Sequence, residues 1–452
     1  MGETNQKIGI GEKICYFMAN IGNIPLMTLL STFFLIFYTD VVGLDPAALA
    51  TLFLISKVVD GISDPIMGFV LDKFPVGKMG KFRPMLIMGT IVCVINYILL
   101  WFGAVWIPVG KYVVVYVTYL LIGWTFDIMD ISLNSLLPVM TADNKERNQL
   151  STIKAVGYML GAMVLSTAGP IIVASGTLES YYVLIFGSMA VTLVFSIVGA
   201  LGVKERVAFE GTEEEKYKIK DLVGFLAKKP VWVTFLAGLV YMVGYQGSQG
   251  ASSYFFTYTM GDMSLMAGVS LIGMVGMFPA MIIAPLIANK VGKKWVYTAG
   301  ILIAAIGPAL RLLAPTSMPL AYVGSLIASL GAGAAMTLTY GIQADNTMYV
   351  QYTTGKRAEA AIASLSSFIT KVGQGVAGAI PGYVLAAFGF VSGAASQPDS
   401  INTGIILCVM VLPAVLGVLG ALIFGFGYKL SKKDIDDMAV AVAKGETAAD
   451  AK

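Results

Sequence analysis

Ser56-Lys57-Val-Val-Asp60-Gly-Ile-Ser-Asp64-Pro65 sets three charged side chains inside a run that is otherwise almost wholly apolar or small. The intervals from Lys57 to Asp60 and from Asp60 to Asp64 are three and four residues, which puts all three groups on one face of a helix. The run extends over 45–73, longer than the roughly 20 apolar residues that a bilayer crossing needs. A charge deep in such a span costs about 2.5–3.5 kcal/mol on insertion scales, so it normally faces a cavity and has a partner. The stretch therefore predicts a transmembrane helix with one working polar face. Pro65 predicts a kink that frees backbone carbonyls beside the acids.

Outward from this helix, apolar runs of similar length recur along the whole chain. Of 452 residues, 57% are hydrophobic and 13% are charged, far from the quarter or so charged in soluble domains. The pattern predicts an all-α integral membrane protein with twelve transmembrane helices in two six-helix bundles. Expected boundaries are 1–203 for the first bundle, 204–230 for a cytoplasmic linker, 231–430 for the second bundle and 431–452 for a cytoplasmic tail. Individual spans include 149–176 and 318–345. Lysines and arginines alternate between the connecting segments. They occur at Lys7 and Lys13, Lys73 to Arg83, Lys145 and Arg147, Lys290 to Lys294, and Lys356 and Arg357. Cytoplasmic loops keep positive charge, so both termini are expected in the cytoplasm. Gly68-Phe-Val-Leu-Asp72 and Pro285-Leu-Ile-Ala-Asn289 each lead into a basic turn at corresponding points of the two halves. Such an echo is what the parallel repeats of a major-facilitator fold predict.

Several functions are excluded by what the chain lacks. A net charge of +3 spread over short loops offers no nucleic-acid surface. No Walker sequence is present to bind ATP. Cys15, Cys93 and Cys408 lie in apolar runs without metal-ligand spacing, and there is no histidine, so proton chemistry falls to carboxylates. The polar start of the chain followed by a long apolar run reads as a first transmembrane helix, not a cleaved signal.

Further polar groups interrupt other spans. The fourth helix carries Asp127 and Asp130 on one face, with Asn134 a turn beyond. Converging carboxylates can hold Na⁺ or Li⁺ through oxygen, or bind a proton because like charges raise a carboxylate pKa. Lys57 also allows a plain helix-locking ion pair. Lys154 opens the fifth helix and can snorkel to its end. Lys371 lies deeper in the eleventh. Tyr241, Tyr245, Gln246, Gln249, Tyr254 and Tyr258 give the seventh helix the aromatic and amide groups that a sugar pocket uses, although tyrosines also collect at membrane interfaces.

Phe37-Tyr-Thr-Asp40-Val-Val-Gly, Asp60-Gly-Ile-Ser-Asp64-Pro-Ile-Met-Gly68, Gly80-Lys-Phe-Arg83-Pro84, and Ala344-Asp345 through Thr354-Gly-Lys-Arg357-Ala-Glu359 together resemble the glycoside-pentoside-hexuronide:cation symporters, from the first helix through the twelfth. The resemblance implies that Asp60 and Asp64 bind the cation, as metal ligands if it is Na⁺, and that Asp130 links cation and sugar. Asp127 is expected beside the cation. It implies substrate contacts from Asp130, Lys154 and Lys371, to which Asn23, Asn134 and Tyr254 are added as expected lining groups. Lys57, Asp72, Arg83, Asp345 and Arg357 take gating or structural roles. Where the family's best-known member has a Lys-Asp pair on the first helix for its galactoside, this chain has Asn23 and Ile24. Where that protein has a stacking tryptophan, this chain has Asn134, and Asp127 replaces a threonine.

The expected function is cation-coupled symport of a glycoside, sugar or sugar acid by alternating access in a bacterial inner membrane. Such a transporter acts as a monomer, needs no cofactor beyond the coupling ion (Na⁺, Li⁺ or H⁺), and binds no nucleic acid. An amphiphile or lysolipid carrier of the same fold, or a non-transporting membrane sugar sensor, are the alternatives.

Overall fold

The computed structural model describes residues 8–207, 224–355, 358–394, 396–444 and 447–448, with the backbone alone at 62–66, 68–72, 144, 359–360 and 443. Six long helices form the first half: α1 (Ile10–Ile36), α2 (Pro46–Asp72), α3 (Phe82–Trp106), α4 (Lys111–Met140), α5 (Asn144–Ile172) and α6 (Leu178–Gly202). The second half repeats the count with α7 (Lys229–Tyr254), α8 (Leu265–Val291), α9 (Lys293–Arg311), α10 (Met318–Thr354), α11 (Glu359–Ala387) and α12 (Ser400–Gly427). A short amphipathic helix, α13 (Lys432–Ala443), follows. The chain divides into two compact units around α1–α6 and α7–α13, with Asp262–Ala267 and Phe390–Gln397 grouping with the first.

Among the described residues, eight of the twelve helices are long and apolar enough to cross a membrane on composition alone: α1, α3, α4, α5, α6, α8, α10 and α12. Of the other four, α2 has many side chains outside the described residues, and the rest are where the sequence spends polarity or length. Glycines, glutamines and serines dilute α7, Lys371 interrupts α11, and α9 is short.

Within the first unit, α1 packs against α5 and α6, α3 against α4 and α6, and α2 against α4. Aromatic rings fill the space among α1, α3 and α6: Phe37 lies 5.1 Å from Trp101 and 4.8 Å from Tyr181, centroid to centroid. The buried Tyr38 hydroxyl donates to the Leu100 carbonyl, so this core satisfies its own polar atom. The second unit uses a different device. There α9 and α10 approach so closely that a Cβ on Gly300 would stand 3.1 Å from the Gly331 carbonyl, and one on Gly324 2.7 Å from the Gly307 carbonyl. Small residues permit such contact where apolar side chains gain little by leaving lipid.

Some helix ends differ from the sequence expectation. The fifth helix starts before 149, because the Asp143 carboxylate accepts from Lys145 N at 2.8 Å and Glu146 N at 2.9 Å and caps an earlier first turn. The tenth runs nine residues past 345 to Thr354, ending where Gly355 takes φ +69°. Its 37 residues reach about 55 Å, well beyond a hydrocarbon core of about 30 Å. Hydropathy marks the apolar part of a helix, whereas its true end is set by capping.

Candidate substrate and cation site

Three helices of the first unit close a ring of polar contacts. Asp130, on α4, accepts from the Asn23 amide of α1 at 2.6 Å and from the Asn134 amide one turn along at 2.9 Å. Lys154 of α5 donates to the Asn134 carbonyl oxygen. The Lys154 ammonium also lies 5.9 Å above the Tyr158 ring, and Asn23 donates to the Tyr158 hydroxyl at 2.9 Å. Each helical spacing serves this closure: Asp130 to Asn134 and Lys154 to Tyr158 are both four residues. Asn23 is only 3% exposed, and its own carbonyl oxygen has no partner among the described residues. The arrangement presents a carboxylate, an ammonium, two amides and a phenol within one patch. A polyhydroxylated molecule finds both donors and acceptors there.

Beside the ring lies a second charged group. Lys57 and Asp60 form an ion pair at 2.7 Å on α2. A Cβ on Gly123 would run into the Asp60 carboxylate, so the missing side chain on α4 is what admits this acid against the helix. Asp127, on α4 three residues before Asp130, feels the charges of Asp60, Asp130 and Lys57. Its Oδ2 is buried without a hydrogen-bond partner among the described residues. Such an oxygen is normally satisfied, so a cation, a proton or water suits it.

The sequence candidates thus separate. Asn23, Asp130, Asn134 and Lys154 come together, Asp60 pairs with Lys57, and Asp127 feels the charges of both clusters. The Asp64, Pro65 and Asp72 side chains lie outside the described residues, as does the whole of Arg357. Among the described residues no group of three metal-ligating side chains is assembled. Lys371 sits half-buried on α11 of the second unit. Tyr254, at the end of α7, is fully buried and stacked on Tyr258 at 6.3 Å, so it faces packing and not open space.

Two of the gating candidates hold helix ends. The Arg83 guanidinium donates to the Ala200 and Leu201 carbonyls at 2.8 Å each, tying the start of α3 to the end of α6. Asp345 on α10 is 3% exposed and pairs with Lys293 of α9 at 2.6 Å. Tyr158 was not anticipated, though Lys154-Ala-Val-Gly-Tyr158 carries the one-turn spacing that could have marked it. Glu205 was also missed. Its carboxylate accepts from the backbone N–H groups of Lys81, Phe82 and Arg83 at 2.8, 2.8 and 2.9 Å, capping α3 from far along the chain.

The chain matches the family described as MFS/sugar transport protein over residues 15–432. It is 30% identical over 404 residues to the isoprimeverose transporter of Lactiplantibacillus pentosus, covering 86% of this chain and 83% of that one. It is 29% identical over 455 residues to the uncharacterized symporter YnaJ of Bacillus subtilis (strain 168), covering 97% and 96%. A crystal structure of a point mutant of the nucleoside transporter NupG superimposes with a TM-score of 0.68 at 12% identity, over 92% of this chain and all of that one, and so shares its fold. The matching family and these relatives are transporters, not enzymes. The chain belongs to the MFS/sugar transport family.

Proposed function

We propose that this protein couples the movement of a monovalent cation, Na⁺, Li⁺ or H⁺, to symport of a glycoside, sugar or sugar acid by alternating access. The observation that carries the reading is Asp130, which belongs to the polar ring and also interacts with Asp127 beside the Lys57–Asp60 pair. Three carboxylates, Asp60, Asp127 and Asp130, face two ammonium groups, Lys57 and Lys154, in this part of the first unit. The described acids outnumber the bases by one, an excess that Asp64 widens and that a bound cation offsets. A cation on Asp127 or Asp60 lowers the repulsion felt at Asp130, which is then free to accept hydroxyl donors from a sugar while Lys154 and Asn134 contact its oxygens. By linkage the sugar must favour the cation to the same degree, typically by 1–3 kcal/mol. The names of the relatives, an isoprimeverose transporter and a symporter, agree with this substrate class and mode.

Asp64 completes the cation site in this reading. The working unit is a monomer in a bacterial inner membrane, with both termini cytoplasmic and no cofactor. The test is uptake into proteoliposomes of a panel of neutral glycosides and uronides under separate Na⁺ and H⁺ gradients, followed by ligand binding with and without the active cation. Asp130→Asn is expected to abolish the cation's effect on sugar affinity, and Asp60→Asn to weaken it at least tenfold. Unchanged cation dependence in both variants overturns the assignment.

A further inference from the structure

The second unit carries a groove of about 550 Å³ between α8, α9 and α10. Its walls include Ile283, Ile287, Ile303 and Trp295, all more than a third exposed, and its floor is made by the small residues Ala280, Ala284 and Gly300. Depth comes from the close α9–α10 contact, because Gly300 has no room for a side chain against Gly331. Almost all of the lining is apolar, and its length follows the helices. A hydrocarbon chain fits that shape and chemistry.

One end of the groove is basic. Lys290 is exposed in the last turn of α8, three residues from Ile287 and on the same helical face. Lys294 opens α9, its ammonium 5.1 Å above the ring of Trp295, which lines the groove. Neither lysine forms an ion pair among the described residues. Their neighbour Lys293 is different, being committed to Asp345 at 2.6 Å.

The start of α9 lacks what the start of α3 has. Both helices follow a glycine with positive φ, Gly80 at +89° and Gly292 at +93°. At α3 the Glu205 carboxylate takes up three first-turn N–H groups. At α9 no side chain caps the turn and no acidic residue lies within it, while two lysines do. A helix N-terminus with cations around it is a ready anion site. Here the anion must arrive from outside the protein.

We infer that this groove binds an anionic phospholipid of the surrounding bilayer, with an acyl chain against Ile283, Ile287 and Ile303 and the phosphate at Lys290, Lys294 and the first turn of α9. Basic pockets at the ends of transmembrane helices take such headgroups, and each lysine near an anionic surface contributes on the order of a fivefold preference. Trp295 stands at the boundary between chain and headgroup, where indoles settle in membranes.

The full-length protein is reconstituted in phosphatidylcholine vesicles containing 10 mol%, by design, of either phosphatidylglycerol or phosphatidylcholine brominated in the acyl chain. Quenching of Trp295 is taken as the difference between the wild type and Trp295→Phe. Brominated phosphatidylglycerol is expected to quench Trp295 several-fold more than brominated phosphatidylcholine at the same fraction, and Lys290→Gln/Lys294→Gln to remove the difference. Lys290→Arg/Lys294→Arg should keep it, which separates loss of charge from loss of fold. Equal quenching by the two lipids in the wild type, or a preference that survives in the Gln pair, overturns the proposal. Neither readout depends on transport, so failure here leaves the symport assignment standing.

Discussion

In the first unit α1 ends in a π turn, Phe37–Val41, followed by Gly43 at φ +77°; in the second, α7 ends in a π turn, Phe255–Thr259, followed by Gly261 at φ +76°. The glycines before α3 and α9 match as closely. Backbone devices repeat between the halves, but charges do not. The first unit carries Lys57, Asp60, Asp127, Asp130 and Lys154 within α2, α4 and α5, linked so that several groups share partners. The second pairs one buried acid, Asp345, with one lysine and lays the Arg311 guanidinium 4.8 Å from the Phe255 ring. A shared frame thus supports two kinds of interior. Charges that share partners can exchange them for a ligand, whereas a charge with a single partner is committed to structure.

Breaking the single pair should produce the largest loss of stability. Lys293→Met leaves Asp345 only 3% exposed, with its Oδ2 already lacking a partner among the described residues. Removing one partner of a buried pair costs about 3–5 kcal/mol, and the low end applies because the Lys293 side chain is 34% exposed. Thermal unfolding in detergent should show the loss, and Lys293→Met/Asp345→Asn should recover most of it because no charge is left stranded. Lys57→Met in the first unit is expected to cost roughly 1 kcal/mol or less, since both members of that pair are partly exposed. Its main effect should fall on cation-coupled uptake. If the two substitutions destabilise equally, the distinction between committed and exchangeable charge fails.

The clasps on the basic loops sharpen the comparison at a smaller scale. Glu205 secures the start of α3 with three hydrogen bonds, while Lys432 reaches one carbonyl, that of Asn289 near the end of α8, at 2.6 Å. Both signs suit the helix dipole. Glu205→Ala leaves three N–H groups without their acceptor and should cost about 2 kcal/mol, against less than about 1 kcal/mol for Lys432→Ala. Gly80→Ala should cost more than Glu205→Ala, because a Cβ at Gly80 would occupy the carboxylate's place and would also strain the backbone at φ +89°. Since both changes remove the same contact, the double variant should lose less than the sum of the two single losses in chemical or thermal unfolding. Additive losses would mean that Gly80 and Glu205 act separately.

How much of this the sequence could tell depends on the range of the interaction. The spans were legible because burial in lipid leaves a local record about 20 residues long. The α4 acids were legible because a carboxylate in an apolar run is costly wherever its partner lies. Asn134 stood out by its place a turn beyond the α4 acids, Asn23 only through the family resemblance, and Tyr158 did not stand out at all, because a tyrosine in a membrane helix is ordinary until a neighbouring helix brings an amide to it. Glu205 lies 124 positions from the backbone it caps, amid charged residues that read as a linker. The extension of α10 past Asp345 was hidden for another reason: its last turns are polar, and hydropathy is silent on polar helix.

The smallest expected effect concerns α13, which belongs to the second unit and packs on α10. Its first turn closes a capping box: Asp434 N–H donates to the Ser431 hydroxyl at 3.2 Å, and Ser431 N–H donates to the Asp434 carboxylate at 2.8 Å. That backbone bond, with the Ser431 hydroxyl, holds the Asp434 carboxyl below its usual range. A depressed acid stabilises the fold above its unfolded pKa, near 3.9, and the contribution is lost as pH falls through the lower folded value. The cap should therefore hold at neutral and mildly acidic pH and loosen only in stronger acid, by a modest amount because Asp434 is exposed. Ser431→Ala removes the other half of the box at any pH, at about 1 kcal/mol, and should speed amide exchange in α13 by roughly fivefold. The first turn of α3, held by Glu205, should not change in the same experiment. Faster exchange there as well would show that α13 steadies more than its own unit, and the two clasps could no longer be read as independent.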